Sequence, residues 1–126
     1  DDGNGIVAAT AALAAVGKVM MALEAHDYSE ESVHTIDCVV MGCVEAQKVT
    51  GTAVVKGDKI IVGSTAGECN KYIAPDVPAG GVSTYFTATI EAAIQANFAL
   101  MKNVIGTAYA ASTDAATTQK LWLGVY

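Results

Sequence analysis

The sequence predicts an α+β fold: two long alanine-rich helices packed on one antiparallel sheet of about four strands. Three observations point there. An apolar stripe of helical period runs through residues 83–105, a second heptad-like apolar series runs through 6–25, and β-branched segments punctuated by glycine fill the middle of the chain. With 126 residues, 52% hydrophobic and 16% charged, the chain suits one domain, 1–126, with a buried core.

The 83–105 helix organises the reading. Phe86, Ile90, Ile94, Phe98, Met101 and Ile105 recur at steps of four, four, four, three and four, with Glu91, Gln95 and Lys102 on the opposite side. Ser83 or Thr84 can cap its start, and Gly106 suits the left-handed residue past its end. In the 6–25 segment, Ile6, Ala9, Leu13, Val16, Met20 and Leu23 form one face. A second face, with Val7, Ala11, Ala14, Ala15 and Met21, is too apolar for open water and implies a covering partner. Gly17-Lys18 interrupts the run, which argues against a membrane span.

Residues 33–45 are rich in β-branched side chains and are predicted as a strand, with Gly42 marking a bulge or close approach. Gly57-Asp58, between Val54–Lys56 and Lys59–Val62, predicts a hairpin, and a turn near Thr50-Gly51 would extend it to a three-stranded meander. Residues 64–82 carry both prolines and are predicted as a long loop that Cys69 can pin to the sheet. Gln119–Tyr126 is predicted as the last strand, with Leu121, Leu123 and Val125 on one face and Trp122 and Tyr126 on the other.

Composition excludes several function classes. The net charge is −6, and all seven basic residues are lysines. Without arginine or clustered positive charge, nucleic acid is not an expected partner. The chain opens Asp1-Asp2 without methionine, which is compatible with a removed export leader. Cys38, Cys43 and Cys69 are disulfide candidates. An oxidising compartment would favour Cys69 with Cys38 or Cys43, and three buried thiols are the alternative.

No motif carries catalysis, a metal or a cofactor. Asp-Asp-Gly-Asn-Gly at the start lacks the glutamate of a calcium loop, since Leu13 stands at the twelfth position from Asp2. Gly63–Gly67 lacks the Gly-Lys-Ser/Thr ending of a phosphate loop. Cys38 and Cys43 are five apart, off the usual zinc step, and His26 reads as helix-end decoration. His34 and Cys38 share a strand face but lie roughly 13 Å apart at the usual rise.

The expectation is therefore a non-enzymatic protein, extracellular or on a cell surface. It would be a structural subunit that self-associates through its apolar helix faces, as a homo-oligomer or with another protein. Interface candidates are Val7, Ala11, Ala14, Met21, Trp122 and Tyr126. The alternative is a small exported effector, toxin or protein-binding module that uses loop 64–82 and Trp122. A third reading, an enzyme or small-molecule carrier with a pocket between the helices and the sheet, needs convergent polar groups that no spacing in the sequence supplies.

Overall fold

The structure is a computed structural model that describes residues 19–23, 37–74 and 88–126. In chain order the elements are β1 (Met21–Ala22), β2 (Cys38–Val39), β3 (Gly42–Gln47), β4 (Lys59–Val62), β5 (Cys69–Lys71), α1 (Ala88–Met101), β6 (Val104–Ala108) and β7 (Thr118–Leu123). The two strands β1 and β2 pair antiparallel as a small ribbon. The other five form one sheet in the order β3-β7-β6-β4-β5, and every neighbouring pair in it is antiparallel.

The two outermost strands of that order meet. Lys48, just past β3, bridges Cys69 at the start of β5 in parallel, and the Val49 N–H donates to the Cys69 carbonyl at 2.9 Å. The sheet therefore curls into a small barrel, stitched at that rim.

Its core is the inner face of the strands. Along β7 the side chains alternate: Gln119, Leu121 and Leu123 are buried, and Lys120 and Trp122 are exposed. Opposite them lie Val44 on β3 and Ala108 on β6. Val54 from the segment before β4, Ile60 and Val62 on β4, Cys69 on β5 and Ile105 on β6 belong to the same cluster. Burying a Leu or Ile side chain here stabilises by roughly 1.5–3 kcal/mol. Val19, Met21, Val39 and Ala46 pack against this cluster, so the β1–β2 ribbon covers part of the barrel.

Two buried polar side chains tie loops to the barrel. Lys48 is 3% exposed, and its Nζ donates to the carbonyls of Val49, Thr113 and Ala116 at 3.1–3.3 Å. Gln119 donates to the Ala110 and Lys120 carbonyls at 2.7 Å and accepts from the Ser112 hydroxyl at 2.5 Å. Each satisfies polar groups that would otherwise be stranded in the interior.

This architecture corrects the α+β expectation. Among the described residues there is one helix and two antiparallel sheets, so the fold is mostly strand. The predicted 6–25 helix is overturned where it is described, because Met21–Ala22 is a strand paired with Cys38–Val39. The rest of that segment lies outside the described residues. The 83–105 helix is present as Ala88–Met101, but Val104 and Ile105 leave it for β6. Gly106 does not cap the helix. It lies opposite Leu123 inside β6, where an added Cβ would stand 2.1 Å from the Trp122 carbonyl oxygen. Glycine is required there by backbone contact, and the sequence signal of a helix stop coincided with that need.

The strand assignments shift as well. The 33–45 strand is two strands, β2 and β3, interrupted at Val40–Met41. The Gly57-Asp58 turn exists: the Asp58 carboxylate accepts from the Val55 N–H at 2.8 Å, and Gly57 takes φ +93°. Its flanks do not pair with each other, however. Val54 bridges Ser112, and Lys59–Val62 lies between β5 and β6, so there is no local meander. Within the described part of the predicted 64–82 loop, Cys69–Lys71 is a strand, and 75–82 lie outside the described residues. Gly63 N–H donates to the Glu68 carbonyl at 2.7 Å, which closes a tight turn into β5. Cys69 does anchor this segment, as a buried side chain.

Candidate functional site

Helix α1 is the element with the least cover. Its 14 residues have one acid in the first turn, Glu91, and none of them is buried. Ile90, Ala93, Ile94, Asn97 and Leu100 are half-buried and form the side turned toward the barrel. The outer side carries Ala88, Ala92, Ala96 and Ala99 beside Glu91 and Gln95, whose side chains are joined at 3.2 Å. Phe98 is 63% exposed and Met101 54%. Tyr72, just past β5, donates from its hydroxyl to the Asn97 side-chain oxygen and fixes the helix on the body.

A cavity of about 450 Å³ opens where the C-terminal end of α1 meets the outer side of β4 and β6. Val19, Met101, Val104 and Ile105 supply apolar wall, and Lys59, Lys102, Tyr72 and Tyr126 supply polar groups. Lys59 Nζ donates to Thr107 Oγ1 at 3.1 Å, and Thr107 in turn donates to the Val125 carbonyl at 2.9 Å. That relay holds Lys59 at the wall. The one ion pair among the described residues is elsewhere, between Lys71 and Asp58 at 2.9 Å. Asn103, flanked by two lining residues, is buried with its Oδ1 unpaired.

The outer face of β7 holds a separate feature. Trp122, 43% exposed, meets Tyr109 edge-on at 5.7 Å between ring centres, and it lies opposite Cys43 on β3 and Thr107 on β6. Tyr126 is 70% exposed and lines the cavity. Met21 is half-buried against the core. Val7, Ala11 and Ala14 lie outside the described residues, as do His26 and His34. Of the 64–82 segment, the 64–68 turn is among the described residues. The turn leads into β5, and β5 is not a neighbour of β7 in the sheet.

The three thiols are unpaired: Cys43 is exposed, Cys38 half-buried and Cys69 buried. Burial pushes the Cys69 thiol up to about 11, against a smaller opposing pull from the Lys48 ammonium. At neutral pH it is a thiol rather than a nucleophilic thiolate. Among the described residues no group of three or more His, Cys, Asp and Glu side chains is placed to hold a metal ion, and no helix is long and apolar enough to cross a membrane.

Sequence reasoning raised a pocket between helices and sheet but located none of the residues that line this cavity. Its polar residues come from β4, the segment after β5, the end of α1 and the end of the chain, and no linear motif links them. The only visible trace was Lys59 alternating with buried Ile60. Comparison with family models, curated proteins and solved structures finds no match to this chain, so its function has to be argued from these side chains alone.

Proposed function

We propose that the protein is a structural subunit of a secreted or surface assembly and that it self-associates through α1. The observation that carries this reading is a 14-residue helix with no buried residue that leaves Phe98 and Met101 more than half exposed. A helix this poor in charge gains by finding cover, and large exposed apolar side chains on one element mark contact sites. The partner best suited is a second copy. The flat stripe Ala88, Ala92, Ala96 and Ala99 is self-complementary, because two identical helices related by a two-fold axis lay small residues on small residues and approach closely. The acidic chain, at −6, opposes this contact by repulsion, so added salt strengthens association.

Light scattering coupled to size exclusion tests it. The wild-type chain is expected to be a dimer or larger, and Ala96→Glu and Phe98→Glu to give monomers with unchanged circular dichroism spectra and thermal midpoints that no longer depend on protein concentration. A wild-type chain that stays monomeric at about 100 μM, far above the dissociation constants of stable assemblies, overturns the reading.

The Trp122–Tyr109 pair supports a second reading, a protein-binding module with Trp122 as anchor. That reading expects Trp122→Ala to abolish capture of the partner while the α1 association is retained.

A further inference from the structure

We propose that the cavity between the end of α1 and the outer side of β4 and β6 binds an amphipathic monocarboxylate, such as a medium-chain fatty acid. Its volume, about 450 Å³, lies in the range of small-molecule sites. Its described lining divides into the two parts such a ligand needs. Val19, Met101, Val104 and Ile105 form an apolar wall, and Lys59 and Lys102 supply two ammonium groups.

The charge pattern gives the sign of the ligand. The described residues hold six acids and six lysines, and of those that line the cavity two are lysines and none is acidic. Among the described residues neither lysine has a carboxylate partner, since the one ion pair joins Lys71 to Asp58. Lys59 spends one donor on Thr107 Oγ1 and keeps the others. A carboxylate placed between the two ammonium groups gains charge-assisted hydrogen bonds at the mouth of an apolar wall.

The helix fixes the magnitude of that charge. The cavity sits at the C-terminal end of α1, where the helix dipole is negative and its last carbonyls point outward. A phosphate dianion would meet that field with no arginine fork and no helix N-terminus to offset it. A single carboxylate is balanced by the two lysines. Tyr126 adds a neutral hydroxyl donor at the same wall, while the Tyr72 hydroxyl is committed to Asn97.

This inference shares Met101 with the proposed α1 contact, but Lys59 and Lys102 take no part in that contact, so their variants separate the two. Isothermal titration calorimetry with sodium decanoate, decanol and decyltrimethylammonium, each below its micelle-forming concentration, tests it. Saturable binding of decanoate, weaker binding of decanol and none of the cation are expected. The double variant Lys59→Met, Lys102→Met keeps both aliphatic stems. It is expected to lose decanoate affinity by about tenfold or more, the scale of charge-assisted pairs, and to keep decanol affinity. Circular dichroism confirms its fold, and light scattering confirms that its oligomeric state is unchanged. Absence of saturable decanoate binding by the wild type, equal affinity in the double variant, or binding of the cation as tightly as decanoate overturns the proposal.

Discussion

Gly106 shows how much one missing carbon decides. Its Cβ position is taken by the Trp122 carbonyl oxygen at 2.1 Å, and the neighbouring Leu121 side chain stands at 3.1 Å. Backbone cannot yield as a long side chain does, so Gly106→Ala has to separate β6 from β7. The expected cost is about 2–4 kcal/mol, the range of overpacked core sites, read as a lower urea midpoint. Residue-scale chemistry also separates the cysteines. Cys43 on the outer face is expected to react with iodoacetamide in the native protein, and Cys69 only after unfolding. The Cys69 thiol titrates in the fold near 11, above its ordinary value, so the unfolded chain ionises first. Its contribution to stability is full below about pH 9, falls as pH rises and is gone above the folded value. Thermal midpoints from pH 8 to 11 check this, with Cys69→Ala expected to flatten the alkaline decline. The exposed thiol was not legible in the sequence, because alternation cannot say which face of a strand looks outward until the partner strands are known.

At the scale of elements the periodic signals hold only in part: Met21–Ala22 of the 6–25 series is a strand, and Phe98 and Met101 of the 83–105 stripe stand exposed. Leu121 and Leu123 do face the core, and Ile90 and Ile94 do lie on the side of α1 turned to the body. The pairing of Lys59–Val62 was not legible. Its true partners, β5 and β6, are set by long-range hydrogen bonds such as the Ala108 N–H to the Asp58 carbonyl at 2.8 Å, whereas a Gly-Asp turn advertises only its neighbours. Lys48 was equally misleading: a lysine beside Val49 and Thr50 looks like solvated charge, and it is instead a buried clasp. Lys48→Met removes the three donors and leaves the carbonyls of Val49, Thr113 and Ala116 without them. A loss of roughly 2–4 kcal/mol in chemical denaturation is expected, with faster exchange of the Gly51 amide, which bonds the Asp114 carbonyl on the same loop.

For the molecule as a whole, the error was one of ranking. The stripe in α1 is the strongest periodic signal in the chain, so it looked like the organiser of the core. The barrel fills its own interior instead, with residues from all five strands, and leaves the helix half-covered outside. Apolar period reports that a face seeks cover and is silent on whether the cover comes from the same chain. In the sequence Phe98 belongs to the apolar stripe and the uncovered face falls on 6–25, so the exposure of Phe98 and Met101 was not legible there. An open ribbon of five strands would offer two raw flanks, and raw flanks can recruit further strands without limit, as fibrils do. At the Lys48–Cys69 rim each flank already holds the other. The association proposed above would accordingly run through side chains on α1 rather than through strands added at that rim.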